Sequence, residues 1–340
     1  MLHESTRALR RPALIGLVTV LAFGLVLVMA GKQPLRAAVD VLGFAFGTER
    51  GFSELFVRMG PLLLTALAVS IPAQVKLFNV GGEGQLYMGA LFATGAALGL
   101  ADQPAWLLMP ATLAAGFAGG ALWALIPALM RIKGLANESI VTLLLNYVAP
   151  LGVGYMIFGP WRSADSASYP QSPELPAGAR LPALAGSRLH AGLLIAAVCL
   201  GAFAYVLNRT RWGLEMRGVG GNATAAGQLG LPVQRYMLAC MAIGGGLAGL
   251  AGMAEVCAVQ GRLVGSLSPG YGYMGFLVAW LAGPSALKTL AMALLFAFIS
   301  SVGDVLQITQ GVPFAVVNIL MAAILFTVLC GGHQAGGAKR

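Results

Sequence analysis

The sequence predicts an all-α polytopic membrane protein of about ten transmembrane helices, with inverted-repeat-like halves and broken helices near the centre. Three observations carry that prediction. Hydrophobic residues make up 58% of the 340 and charged residues only 10%, against about 25% charged in an ordinary soluble domain. Apolar runs of roughly 17–25 residues, long enough to cross a bilayer, follow one another along the chain, and mean hydropathy is +0.81. Between two of those runs, glycines and polar residues crowd into Phe78–Gly89, FNVGGEGQLYMG, where a continuous helix would break.

The first run, 12–31, follows Arg7, Arg10 and Arg11. Its length of about 20 residues, with no small-x-small cleavage site, reads as a retained helix and not a signal peptide. Residues 32–59 mix apolar and charged side chains and suit a helix lying in the membrane interface. Spans are expected at 60–78, 84–101, 105–130 and 138–159. The outer stretch 161–188, rich in Pro, Ser and Ala, reads as a solvated loop. A further span at 189–208 leads into an inner loop, 209–235. That loop is too polar to span and longer than a turn needs, and its NATAAGQLG is helix-compatible, so a short surface helix offered to a cytoplasmic partner is expected. Spans at 236–258, 270–284, 286–303 and 312–331 complete the set. The chain, 1–340, reads as a single transmembrane domain.

Net charge is +9, yet the basic residues form no single patch for nucleic acid. Placing the amino terminus in the cytoplasm puts thirteen of the 21 Lys and Arg on the inner side, in the shorter loops. That satisfies the positive-inside rule and puts both termini inside. The four cysteines lie in apolar runs without metal or CxxC spacing and read as small core residues. Glycine pairs at Gly95/Gly99, Gly116/Gly120 and Gly245/Gly249 have the spacing that lets helix backbones approach closely in lipid.

Enzyme signatures are missing: there is no GxxxxGK[ST] loop, no HExxH and no GxSxG elbow. The three histidines, His3, His190 and His333, offer no metal-ligand spacing. Polar residues at membrane depth carry more information, because an ionisable group near the bilayer centre costs on the order of 3 kcal/mol and faces a partner or a wet cavity. The candidates are Gln74, Asn79, Glu83, Gln85, Asn137, Glu138, Asn146, Glu255, Asp304 and Asn318. Glu138, Glu255 and Asp304 lie near segment ends, where interfacial solvation suffices. Asn146 lies well inside a span and either bonds across helices or lines a path. Asn79–Gln85 reads equally as a cytoplasmic turn or as irregular backbone beside a water-filled pathway. YMGALFATG at Tyr87 recurs loosely as YMGFLVAWLAG at Tyr273, each after a glycine-rich turn. In the orientation above the two halves would be inverted, a transporter signature.

Several motifs in fixed order then identify a family. PLLLTALA (61–68), LFNVGGEGQ (77–85), NESIVTLLLNYVA (137–149), RGVGGNATAA (217–226), LAGLAGMAEV (247–256) and GRL followed by SPGYG (261–272) together resemble the permease subunits of ATP-binding cassette (ABC) importers in the ribose/branched-chain amino acid class. The similarity is greatest to the longer permease of nucleoside or simple-sugar importers that work with basic-membrane-lipoprotein-type binding proteins. Two positions depart from the pattern: AGPSA (282–286) stands where the family has a G-R-x-x-P turn, and VVNILMAAILF (316–326) lacks a common glutamine.

The resemblance implies a bacterial inner-membrane permease, with an extracytoplasmic lipoprotein delivering a nucleoside or sugar-like solute. The chain itself would carry no cofactor; ATP and Mg would be used by a separate cytoplasmic ATPase subunit, and a second related permease would complete a heterodimer. It implies that Asn79, Glu83, Gln85 and Asn146 shape the substrate pathway, and that Arg217, Gly220, Asn222, Ala225 and Ala226 couple to the ATPase. The alternatives are an ion-coupled carrier acting without an ATPase, with Glu83 and Asp304 as proton sites, and a membrane enzyme.

Overall fold

In a computed structural model, residues 31–164, 169–183 and 187–313 are described, with Leu21, Gly24, Leu25, Leu27, Val28, Ala315, Val316 and Ile319. The terminal spans expected at 12–31 and 312–331 lie mostly outside these residues, and Asn318 lies outside them. The described chain is helical, with two isolated β-bridges and no strand. Among the described residues, six helices are long and apolar enough to cross a membrane.

The helices are α1 Pro34–Gly47, α2 Glu49–Ala73, α3 Gly82–Gly99, α4 Ala105–Ile132, α5 Glu138–Phe158, α6 Ala191–Arg209, α7 Arg211–Gly221, α8 Ala223–Gln228, α9 Val233–Ala254, α10 Tyr271–Ala282 and α11 Ala286–Gln310. The expected interior spans match α3, α4, α5, α6, α9 and α10 to within a few residues. The region 32–59 is not one helix: α1 starts on Pro34, suited to a first turn, and ends at Thr48. There the Thr48 hydroxyl donates to the Phe44 carbonyl at 2.8 Å and accepts from Gly51 N–H at 3.0 Å. Helix α2 then runs on from Glu49 into the expected span.

By contacts the described chain forms two units. One, 1–55 with 294–340, is held by Leu27, Ala37, Val41, Val302, Val305, Leu306 and Val312. Within it Gln310 Nε2 donates to Asp40 Oδ2 at 2.9 Å, and Phe46 stacks on Phe298 at 5.9 Å.

The other unit, 56–293, is organised around α3, α4 and α9, which pack on one another. Their contact is made by glycines. A Cβ on Gly249 would overlap the Gly116 carbonyl of α4, and one on Gly120 would overlap the Gly245 carbonyl. One turn further along α9, Gly252 lies against the Leu86 carbonyl of α3, and Gly249 itself also meets Gly89 of α3. The pairs Gly116/Gly120 and Gly245/Gly249 therefore make backbone contacts, while a Cβ on Gly99 would meet nothing within 4 Å. Helix α9 ends in a π-helical turn, Glu255–Gln260, stopped by Gly261 at φ +68°.

That turn explains a difference from the expected solvated loop at 161–188. The described part of the loop packs on the turn: Leu181 N–H donates to Cys257 O at 3.0 Å, Leu175 N–H to Gly261 O at 2.9 Å, and Ser172 N–H to Leu263 O at 3.0 Å. Ser172, Leu175, Ala179 and Leu181 are buried. Apolar residues spaced through a Pro-rich stretch anchor it, and carbonyls of the turn and of Leu263 accept its N–H groups.

Replacing Gly249 by Val should cost about 3 kcal/mol or more, because the clash is with backbone that has no room to shift. Gly99→Ala should stay within about 0.5 kcal/mol. Denaturation of the full chain in detergent checks both, and equal stability of the two variants would contradict the glycine contact.

Candidate functional site

Helix α2 carries Pro61 and Pro72 in its interior. After Pro72 the chain leaves the helix: Val75 and Leu77 N–H both donate to the Pro72 carbonyl, at 3.0 and 3.1 Å. Lys76 adopts φ +56°, the one non-glycine residue with positive φ among those described. Helical geometry resumes only at Gly82. Residues 74–81 thus form a break: the N–H groups of 74–77 bond back to the last turn of α2, while those of 78–81 have no helical partner, and buried polar backbone must find one.

Helix α5 supplies three of those partners from one face. Glu138, Thr142 and Asn146 recur every fourth residue, so their side chains line up along the helix. Phe78 N–H donates to Glu138 Oε1 at 3.4 Å, Val80 N–H to Thr142 Oγ1 at 3.3 Å, and Gly84 N–H to Asn146 Oδ1 at 2.8 Å. Asn146 Nδ2 donates in turn to Val80 O at 2.9 Å. Arg131 Nε lies 3.2 Å from Glu138 Oε2. Of the two readings left open for Asn146, the geometry is that of bonding across elements. Glu138, read as an interfacial group, is 4% exposed and belongs to the same row.

The break is also held from within. Asn79 is fully buried, and its amide pairs with that of Gln85: Asn79 Nδ2 donates to Gln85 Oε1 at 2.9 Å, and Gln85 Nε2 to Asn79 Oδ1 at 2.8 Å. Asn79 Nδ2 also reaches Ala68 O at 3.0 Å, and its Oδ1 accepts from Gly81 N–H at 3.1 Å. One side chain therefore ties the end of α2, the break and the start of α3 together.

Glu83 sits where two helix starts meet. Gly82 in the first turn of α3 touches Gly272 in the first turn of α10, and a Cβ on Gly272 would overlap the Glu83 backbone. The Glu83 carboxylate accepts from Gly272 N–H at 2.7 Å, with the Ser268 hydroxyl as a second partner. Ser268 Oγ accepts from Gly270 and Tyr271 N–H at 3.0 and 2.9 Å. Thr65 Oγ1 lies 3.0 Å from the Tyr271 carbonyl. Helix starts carry unsatisfied N–H groups and a partial positive charge, so a carboxylate between two of them is stabilised by both.

Asn79, Glu83, Gln85 and Asn146 are thus brought into one cluster, each at most 5% exposed. Sequence reasoning missed Thr142, Ser268 and Gly272; the four-residue spacing from Glu138 to Asn146 was the available signal for the first. Asp304 lies in the other unit.

The five expected coupling residues fall in α7 and α8. Gly220 is buried, its Cα against the Gln74 carbonyl of the break. Arg217 donates to the Leu207 carbonyl. Asn222 is exposed and caps α8, accepting from Ala225 N–H at 3.0 Å. Ala225 is half-buried and Ala226 buried. The outward-facing apolar residues of this region are Leu214 and Leu229, which the sequence reading passed over. Glu215 accepts from Tyr236 and from Arg211 Nε, the latter at 2.8 Å. These contacts, the tyrosine's first, hold its carboxyl below the usual carboxylate range.

Beside the break lies a cavity of about 350 Å³ lined from α2, the break, α7 and α10. Among the described residues no group of His, Cys, Asp and Glu could hold a metal ion.

A family described as branched-chain amino acid transport system / permease component matches residues 51–329. A glucose ABC transporter permease protein of Haloferax volcanii is 35% identical over 94% of this chain and 86% of its own length. A nucleoside ABC transporter permease protein of Lactococcus lactis is 30% identical over 96% and 92%. A guanosine ABC transporter permease protein of Bacillus subtilis is 30% identical over 93% and 91%.

Glu83→Ala, which strands the Gly272 N–H, should destabilise the full chain by about 1–3 kcal/mol. Glu83→Gln keeps an acceptor there and should cost clearly less. Thermal unfolding in detergent reads both, and equal losses would show that the hydrogen bond is not what Glu83 supplies.

Proposed function

The chain belongs to the family of branched-chain amino acid transport system permease components, and from that premise we propose that it passes a nucleoside or related sugar-like solute into the cytoplasm. It is the multi-pass membrane permease subunit of an ABC importer and not an enzyme; ATP is hydrolysed on a separate subunit. Family membership implies partnership with that ATPase and with a substrate-binding protein. The observation that carries the solute reading is near-full-length similarity, at 30% identity or more, to permeases named for nucleosides, guanosine and glucose.

Several finer features belong to the same proposal. The chain acts as one permease domain of about ten spans, two of them formed by terminal segments, in the bacterial inner membrane with both termini cytoplasmic. Its halves are inverted repeats, with α3 and α10 as equivalent elements, each opening within a glycine-rich segment. It pairs with a second, related permease, and an extracytoplasmic lipoprotein delivers the solute. ATP and Mg act on the ATPase, which docks on the region 209–235.

In this reading Asn79, Glu83, Gln85 and Asn146 shape the pathway by fixing the break, since their polar atoms are engaged by one another and by backbone. Arg217 and Gly220 join the docking loop to the break, Ala226 packs beneath it, and Asn222 and Ala225 border its outer face. Closure of the ATPase would then bias a two-state bundle through this junction.

The test is uptake of radiolabelled guanosine, adenosine and glucose in a host lacking its own importers, expressing the chain with its partner permease, ATPase and binding protein. Uptake of a nucleoside should rise at least tenfold and vanish when the ATPase's phosphate-loop lysine is replaced. Uptake that survives that replacement would favour an ion-coupled carrier, and uptake of glucose alone would overturn the nucleoside reading.

A further inference from the structure

The cavity beside the break has an unusual lining. One wall carries three rings: Phe78 and Trp280 lie 6.2 Å apart between centroids, and Phe276 and Trp280 5.9 Å. Phe78 and Trp280 are 46% and 50% exposed, so ring faces remain open to an occupant. Two cations from different elements join them, Lys76 of the break and Arg217 of α7, and no acidic residue lines the cavity. Arg217 spends one donor on the Leu207 carbonyl, which leaves further N–H groups of its guanidinium for an anion.

A second observation points to a ligand independently. Ser70 of α2 also lines the cavity, is 4% exposed, and its hydroxyl has no hydrogen-bond partner. Buried hydroxyls are almost always bonded, so an unpaired one in a residue that lines a cavity points to a missing polar partner there. Lys76 is placed at the cavity by the left-handed stop of α2, at φ +56°.

Rings select a planar group, unopposed cations select an anion, and the hydroxyl selects a hydrogen-bonding polar atom. A volume of about 350 Å³ lies at the lower end for small-molecule sites, which run roughly 300–1,000 Å³. That leaves room for one base, one sugar and one phosphate. We propose that this cavity binds a nucleoside 5′-monophosphate, its base on the Phe78–Trp280–Phe276 wall and its phosphate between Lys76 and Arg217. The site is separate from the Asn79–Glu83 cluster, and its ligand is charged where the proposed transported solute is not. An occupant would tie α7 to the break, and so hold the docking loop against the segment it must move with. The proposal does not rest on the solute reading.

The test uses the full chain in phosphatidylcholine nanodiscs, titrated calorimetrically with adenosine 5′-monophosphate, adenosine and inorganic phosphate. The monophosphate should bind at least tenfold more tightly than either of the others. Lys76→Asn, which tolerates the positive φ, should weaken monophosphate binding at least tenfold and leave adenosine within twofold. Lys76→Arg should restore it, and Trp280→Leu should weaken monophosphate and adenosine alike. Binding no tighter than phosphate alone, or unchanged in Lys76→Asn, would overturn the site. So would loss of monophosphate binding on adding phosphatidylglycerol, which would make a lipid headgroup the occupant. Nucleoside uptake without monophosphate binding would sink this site alone; the reverse would sink only the solute reading.

Discussion

A helix that stops inside a membrane protein leaves backbone groups that water does not reach, and the fold of residues 56–293 is arranged around satisfying them. Between Ala73 and Gly82 the chain has no helical ladder. The N–H groups of 74–77 turn back onto α2, and beyond them side chains take over: Glu138, Thr142 and Asn146 on one face of α5 meet Phe78, Val80 and Gly84, and Asn79, paired with Gln85, meets Gly81 from within. Each of those side chains works only if its own helix is held in register. The dense glycine contacts among α3, α4 and α9 keep α3 in place at backbone-to-backbone distance, so packing and polar satisfaction depend on each other. In lipid, close approach through small residues is a main source of helix association.

Glu83 extends the same logic to a second element. Bringing the starts of α3 and α10 together at Gly82 and Gly272 concentrates unsatisfied donors and partial positive charge at one point. A carboxylate that accepts from Gly272 N–H makes that meeting favourable. Without glycine at 272 the backbones would collide, and without the acid the Gly272 N–H would lose its acceptor. For an importer permease driven from outside its own chain, such a junction is useful because it is stiff. A docking loop can bias the bundle only if the elements it pushes do not simply deform.

Much of this was legible in the residues. Apolar runs located the helices because a bilayer demands length and hydrophobicity, and FNVGGEGQ marked the neighbourhood of the break, although its Gly82–Gln85 opens α3 and the break itself starts earlier, at Gln74. The docking of 169–183 was not legible, because a Pro- and Ser-rich composition looks solvated until a π-turn offers it carbonyls. Nor was the inward placement of Gly220 and Ala226 within a loop expected to face a partner. Small residues look alike in sequence whether they clear space for a neighbour or sit under one. Glu138 looked interfacial because it lies one residue from a helix cap, and only the register of α5 puts it in line with Thr142 and Asn146.

If side chains replace the missing helical ladder, the irregular segment is held as firmly as the helices around it. Hydrogen–deuterium exchange of the full chain in nanodiscs, followed on peptides covering 77–86, measures this directly. Amides of Phe78, Val80, Gly81 and Gly84 should exchange as slowly as those in the middle of α3, and quicken at least tenfold in Asn146→Ala. Rapid exchange of these amides in the unaltered chain would contradict the claim.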